Sequence, residues 1–218
     1  MVKIETIIFD LSEVYVQGIK GVEFEIARVL DLNKDYVRNI LRGEKTQQLF
    51  RGEMSEEQYW NGIISENNFP RRVDGYGSTA DFLKSVVREN FREIPGTREV
   101  IENLNKEGYQ LVMLSDNASE WAKDCMERYP LQKLFSVLNW SFEEGVTKKD
   151  PEIYVRALDR AGAMGDTTLF IDNNSRNFPP ARDAGIRYTV RFDSAPSLNK
   201  DLWAAGCYKC KTIETREY

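Results

Sequence analysis

The stretch Ile7-Ile8-Phe9-Asp10-Leu11-Ser12-Glu13-Val14 decides how this chain is read. An apolar run of that length suits a strand buried within a parallel sheet, and it stops on a carboxylate. Residues 4–10 are therefore predicted as a strand that delivers Asp10 to a loop. In open α/β sheets the C-terminal ends of strands are where the chemistry sits. A lone Asp in that place equally well caps a turn, so its meaning depends on partners elsewhere in the chain.

Those partners come from Pro95 onward, where strand and helix patterns alternate. A helix from Arg98 to Lys106 stops at Gly108, and a strand from Gln110 to Leu114 ends in Ser115-Asp116-Asn117. A further helix begins near Ser119, and Ser136-Val137-Leu138 reads as a short strand. Asp150-Pro151 supplies an N-cap and first-turn proline for a helix that ends by Gly162. Strand Thr168-Leu169-Phe170-Ile171 runs into Asp172, the next helix ends at Gly185, and a strand follows from Arg187 to Arg191. This succession predicts an α/β fold, a doubly wound and mainly parallel sheet with helices on both faces.

Between Asp10 and Pro95 the pattern is different. Apolar residues recur at three- and four-residue spacing in Val22–Leu30 and Tyr36–Leu41, which marks amphipathic helices. Ser55-Glu56-Glu57-Gln58 has the form of a capping box opening a helix with Tyr59 and Trp60, and another helix spans about Thr79 to Phe91. Residues 18–90 are thus expected as a helical insertion, with 1–17 and 91–218 forming the α/β core.

Bulk properties narrow the function. The 218 residues carry a net charge of −5 with both signs interspersed, unlike the basic stripe of a nucleic-acid binder. No apolar run approaches the roughly 20 residues that span a bilayer, and the N-terminus lacks a secretory apolar segment, so a cytoplasmic location is expected. The three cysteines, Cys125, Cys207 and Cys210, suit a reducing compartment. Cys207 and Cys210 have metal-ligand spacing but lack the partners that a structural zinc site needs, and they read as ordinary thiols. With no histidine in the chain, Ser-His and Cys-His nucleophiles are excluded, leaving carboxylates, Lys, Ser and backbone amides.

Three strand ends carry polar groups, Asp10, Ser115 and Asp172, and a parallel sheet aligns such ends along one edge. Lys148, in Gly145-Val146-Thr147-Lys148-Lys149-Asp150-Pro151, precedes a helix from which it can reach the same edge. Carboxylates, a hydroxyl and an ammonium together suit a phosphate and Mg²⁺. Singly, each has an ordinary explanation: Ser115 caps a turn, Lys148 is solvated, and Asp172 makes an Asx-turn.

Phe9-Asp10-Leu11-Ser12-Glu13-Val14, Leu114-Ser115-Asp116-Asn117, Lys148-Lys149-Asp150-Pro151-Glu152-Ile153-Tyr154 and Leu169-Phe170-Ile171-Asp172-Asn173 resemble, in order and spacing, the four motifs of the haloacid dehalogenase (HAD) superfamily. The resemblance covers nearly the whole chain and implies a Rossmann-like core with an α-helical cap inserted between the first two motifs. Leu41-Arg42-Gly43-Glu44 and Arg51-Gly52-Glu53-Met54-Ser55 look like the capped branch that includes α-D-glucose-1-phosphate phosphatases. The resemblance makes Asp10 the nucleophile, phosphorylated during turnover, Ser115 a phosphoryl hydrogen-bond donor, and Lys148 the neutralising cation. It assigns Mg²⁺ to Asp10, the backbone carbonyl of Ser12, Asp172 and Asn173, and places Ser12, Asp116, Asn117 and Lys149 on the substrate side. The implied substrate is a small phosphorylated metabolite, a sugar phosphate among the candidates; Tyr59, Trp60, Arg42 and Arg51 are its candidate contacts, against the ordinary reading that the aromatics form the insert's own core and the arginines lie on solvated faces.

Two positions depart from the family pattern. Ser12 stands where phosphatases of the superfamily usually carry an acid–base Asp, and a serine hydroxyl cannot relay protons at neutral pH, which predicts slow turnover. Asn173 stands where an acidic residue is usual, removing one negative charge from the metal site. Glu13 should point away if its segment stays extended. A slow Mg²⁺-dependent phosphatase is therefore the leading expectation. A catalytically inactive HAD-fold binding or regulatory protein is the alternative, and a 2-haloacid dehalogenase, which needs no Mg²⁺, ranks last.

Overall fold

Strand β1 (Thr6–Phe9) is buried along its whole length, because it lies at the centre of a five-stranded sheet. The structure is a computed structural model that describes residues 3–207. Five helices follow β1: α1 (Val22–Leu30), α2 (Lys34–Leu41), α3 (Glu44–Phe50), α4 (Glu56–Glu66) and α5 (Thr79–Asn90). The chain then alternates through α6 (Thr97–Lys106), β2 (Gln110–Ser115), α7 (Ser119–Arg128), α8 (Leu131–Leu134), β3 (Val137–Trp140) and α9 (Ser141–Glu144). It continues with α10 (Pro151–Ala161), β4 (Thr168–Asp172), α11 (Phe178–Asp183), β5 (Tyr188–Arg191) and α12 (Ala195–Ala204).

The sheet order is β3-β2-β1-β4-β5 and every pairing is parallel. Side-chain alternation splits the core in two. Ile7 and Phe9 of β1 pack with Leu111, Met113, Leu169 and Ile171 on one face, under α6, α7 and α12 and continuous with the helical insert. Ile8 packs with Val112, Leu114 and Phe170 on the other face, under α10 and α11. Helices on both faces explain why the strands read as unbroken apolar runs rather than as alternating patterns.

Local signals account for several helix ends. The Ser55 hydroxyl accepts from Gln58 N at 3.2 Å while the Gln58 side chain accepts from Ser55 N at 2.9 Å, so the capping box opens α4. Asp150 accepts from Glu152 N at 2.9 Å ahead of Pro151, and Gly162 closes α10 at φ 60°. Helix α3 is an addition to the expectation. Its Glu44-Lys45-Thr46-Gln47-Gln48 start carries no apolar stripe, and it is held by burial of Thr46 and Leu49. Strand β3 is displaced toward its C-terminus relative to the expected Ser136–Leu138, because polar Asn139 turns inward and donates to Met113 O at 3.2 Å.

The chain leaves for the insert and returns from it side by side. Gln17 N donates to Arg92 O and Ile94 N to Tyr15 O, each at 2.8 Å. A second seam joins α4 and α5 to α7. Buried Glu56 accepts from Trp121 Nε1 at 2.6 Å, from Trp60 Nε1 at 3.1 Å, and from both terminal nitrogens of Arg88 at 2.6 Å. At a third point Gly52, at φ 72°, passes so close to α9 that a Cβ there would lie 2.6 Å from Phe142 O. Only glycine satisfies both the conformation and the approach.

Candidate active site

Strand register brings the polar ends together. Phe9 is level with Met113 on one side and Ile171 on the other, and Asp10 N donates to Ile171 O at 2.9 Å. Asp10, Ser115 and Asp172 therefore emerge from three adjacent strands at one sheet edge. Lys148 enters from the segment before α10, and its Nζ lies 2.8 Å from Asp10 Oδ1 and 2.7 Å from Asp172 Oδ2. Asp10, Lys148 and Asp172 are all buried.

Each member is oriented by further bonds. Asp10 Oδ1 also accepts from Leu11 N at 2.7 Å, so both of these bonds fall on one oxygen and neither on Oδ2. Asp172 Oδ1 accepts from Asn174 N at 2.7 Å, and its Oδ2 accepts from Asn177 Nδ2 at 2.8 Å. Asp116 Oδ1 accepts from Lys148 N at 2.9 Å, which fixes the backbone that carries the ammonium. Tyr154 OH lies 3.0 Å from the carbonyls of both Lys148 and Asn177, joining the Lys148 and Asp172 segments.

Burial raises Asp10 above the ordinary carboxylate value; Lys148 opposes the rise and Asp172 adds to it. Burial also works to discharge Lys148, but Asp10, Asp172 and Asp116 outweigh it and raise the lysine, so the ammonium stays charged at neutral pH. Asp116 is raised as well, by burial first. Ser115 Oγ is buried with no hydrogen-bond partner. An orphaned hydroxyl at that depth is costly unless a ligand oxygen meets it.

The remaining expected residues fall in several places. Asn117 is buried, with its N–H donating to Ser141 Oγ at 3.0 Å and its side-chain oxygen accepting from Ala118 N at 2.9 Å. Lys149 is exposed on the turn before α10. Asn173 is half-buried beside Asp172, and Asn174 spends its side chain on Arg176 N at 3.3 Å. Ser12 is half-buried and packs against Gly18, where a Cβ would lie 3.0 Å from that of Ser12. Glu13 does not stay extended. It adopts φ 62°, and its carboxylate accepts from Gly18 N at 3.0 Å and Lys20 N at 3.3 Å.

In the insert, Tyr59 and Trp60 are wholly buried, and Arg51 is paired with Glu44 at 2.7 Å and Glu53 at 2.6 Å. Among the described residues, Arg42 is the one of the four insert candidates that stands free of such partners. Cys207 is buried, whereas Cys210 lies outside the described residues. Sequence reasoning missed Asn177 and Tyr154. Asn177 precedes Phe178-Pro179-Pro180 and reads as a helix cap, but its side chain is diverted to Asp172. Tyr154 reads as a core aromatic of α10, and nothing in its spacing reveals the use of its hydroxyl.

Comparison with known proteins shows the family of the chain. The haloacid dehalogenase-like hydrolase family matches residues 4–185, and the chain belongs to that family. A phosphorylated carbohydrates phosphatase of Thermotoga maritima is 27% identical over 142 residues, covering 65% of this chain and 63% of that protein. A glyceraldehyde 3-phosphate phosphatase of Pyrococcus furiosus is 29% identical over 114 residues, covering 51% of this chain and 46% of that protein. The chain thus spans less than two thirds of the length of either phosphatase. In fold it is similar to a HAD family enzyme of Bacteroides thetaiotaomicron crystallised with magnesium and inorganic phosphate. The TM-score is 0.68 at 20% identity, with 88% of this chain and 95% of that one covered. Among the described residues, no helix is long and apolar enough to cross a membrane.

Proposed function

We propose that this hydrolase cleaves small phosphate monoesters with Mg²⁺, passing the phosphoryl group through Asp10. The observation that carries the reading is the convergence of Asp10 and Asp172 on one positive centre, Lys148 Nζ, at the edge where the Ser115 hydroxyl is buried without a partner. Two carboxylates from adjacent strands that already bracket a cation form a donor set fit for a hard divalent ion. Asp10, Asp172, the Ser12 carbonyl and the Asn173 side chain would hold it, and when bound it supplies Lewis-acid withdrawal of charge from phosphoryl oxygens.

The chain's own residues supply the rest. An Asp10 carboxylate oxygen attacks phosphorus, forming an aspartyl-phosphate as the ester P–O bond breaks and the alcohol departs. Lys148 keeps Asp10 oriented and offsets negative charge on the transferring group, while Ser115 donates to a phosphoryl oxygen. Water then attacks the aspartyl-phosphate and phosphate is released. Both proton transfers lack a carboxylic acid at position 12, since Ser12 packs on Gly18 and the Glu13 carboxylate is engaged by backbone amides. The five-helix insert acts as a cap over this edge, covering residues 18–90, with 1–17 and 91–218 as core.

The test is hydrolysis of a panel of sugar phosphates and a chromogenic aryl phosphate with Mg²⁺, against an Asp10→Asn control. Turnover in the unaltered protein that is lost on chelation and in the control supports the reading. Equal rates in the two proteins overturn it and favour the second reading, motivated by Ser12, of an inactive binding protein.

A further inference from the structure

Relative motion is the default for an inserted domain unless its interface is large and hydrophobic. Here a side chain of the core fills the insert's own aromatic cluster. Trp121, on α7, is 2% exposed, and its ring lies 5.9, 6.3 and 6.4 Å, centroid to centroid, from those of Phe50, Tyr59 and Trp60 of the insert, with Phe91 at 6.1 Å. The contacts with Phe50, Tyr59 and Phe91 are edge-on, an arrangement that adds to plain burial.

Polar contacts around this plug cross the same boundary. Trp121 Nε1 donates to Glu56 at 2.6 Å, Glu56 N donates to Glu120 Oε1 at 3.1 Å, and Arg128 Nη1 donates to Arg88 O at 2.7 Å. Asp124 of α7 lies 3.6 Å from Arg88 Nε and 2.9 Å from Arg128 Nη2. The two connecting segments are themselves fixed. Val14, Tyr15, Val16 and Phe91 are buried, Val16 forms an antiparallel bridge with Glu93, and Tyr129 OH donates to Phe91 O at 2.7 Å. Hinges are loop positions that absorb a backbone rotation, and a buried, paired segment resists one.

An inserted lid ordinarily closes over its ligand and opens to release it. We propose that the insert of this protein is instead a fixed wall, clamped to the core by Trp121, and that ligands reach the strand-end site without rotation of the insert. Opening would draw an indole out of a buried socket, take one donor from the Glu56 carboxylate and expose the aromatic cluster of α4. A fixed wall selects ligands by what fits a standing opening, in place of closure around them. The clamp goes beyond the phosphatase reading and does not depend on it.

Spin-label distances test this on the full chain. Nitroxides carried by ketone-bearing amino acids at exposed Asn39 of α2 and Asp159 of α10 leave the native cysteines untouched and report the separation of insert and core. The unaltered protein should give one narrow distribution that moves by less than about 2 Å on adding Mg²⁺ with inorganic phosphate, under the scale of domain rearrangements. Trp121→Ala removes the plug, and Trp121→Leu keeps a smaller apolar one without the N–H. Each should broaden the distribution or add a longer-distance population while circular dichroism stays native-like, and Trp121→Leu carries the comparison where Trp121→Ala does not fold. Lys123→Ala, on the exposed side of α7, should leave the distribution narrow. A broad or two-population distribution in the unaltered protein overturns the proposal, as does a shift beyond about 2 Å with phosphate and Mg²⁺. A narrow distribution in a folded Trp121 variant overturns it too, because the clamp would then lie elsewhere. Narrow distances in an unaltered protein that hydrolyses nothing sink the phosphatase reading and leave the clamp standing.

Discussion

Lys148 Nζ stands 2.8 Å from Asp10 Oδ1 and the same atom stands 2.7 Å from Asp172 Oδ2, so one buried ammonium bridges two carboxyl groups on adjacent strands. Lys148→Met removes the charge and keeps most of the volume, leaving the carboxylates facing each other. Breaking a buried ionic group in this way costs about 3–5 kcal/mol. A divalent cation that binds only the folded state returns part of that loss. Urea unfolding should show a lower midpoint for the variant, narrowed by added Mg²⁺, and phosphatase activity should fall by about 10²-fold or more. An unchanged midpoint without Mg²⁺ would contradict the role given to this ammonium.

Under the proposed mechanism, Ser12 leaves position 12 without an acid–base carboxylate, and breakdown of the aspartyl-phosphate is the step expected to be impaired. Mixing enzyme with a chromogenic aryl phosphate should give a burst of phenol equal to the enzyme concentration, followed by a slow steady rate. Ser12→Asp should raise the steady rate by about tenfold or more, within the 10²–10⁴-fold typical of acid–base help, and shrink the burst. A linear time course in the unaltered protein would show that dephosphorylation is not limiting.

Asn177 holds Asp172 through a 2.8 Å bond and is itself buried, so if Asp172 holds Mg²⁺ as proposed, the effect of Asn177 should appear in metal affinity rather than in folding alone. Partners of this kind typically change metal affinity by about 10–100-fold when removed. Asn177→Ala should shift the Mg²⁺ concentration for half-maximal activity upward on that scale, with direct Mn²⁺ binding weakened in parallel. A loss of stability with unchanged metal affinity would make Asn177 a structural residue only.

Legibility in the sequence followed physical range. Strand ends could be read because a buried parallel strand must be continuously apolar, and Asp10, Ser115 and Asp172 each interrupt such a run. Helices with local punctuation, such as α4 behind Ser55 and α10 between Asp150 and Gly162, were visible for the same reason. Helix α3 was hidden because tertiary burial of Thr46 and Leu49 supports a polar segment that has no stripe of its own. The left-handed turn at Glu13 and the diversion of Asn177 depend on atoms brought near by folding, so no spacing rule announces them.

Glu56 carries the clearest pH signature. It links α4 to α7, which begins four residues after Ser115, through Trp121 Nε1 at 2.6 Å and a two-pronged contact with Arg88. Burial works to raise its pKa, but Arg88 and the Trp121 N–H outweigh it and hold the group below its ordinary 4.5. Because the folded value is the lower one, this stabilisation is fully present above pH 4.5 and is lost as pH falls through the depressed value. Glu56→Gln leaves Asp124, at 3.6 Å, as the one carboxylate paired with Arg88 among the described residues, and should cost about 3–5 kcal/mol at neutral pH. Thermal unfolding followed from pH 7 to pH 3 should show the penalty shrinking below pH 4.5, because the unaltered protein then loses what the variant already lacks. A penalty constant across that range would mean that packing around Trp60 and Trp121, rather than the carboxylate charge, holds the insert to α7.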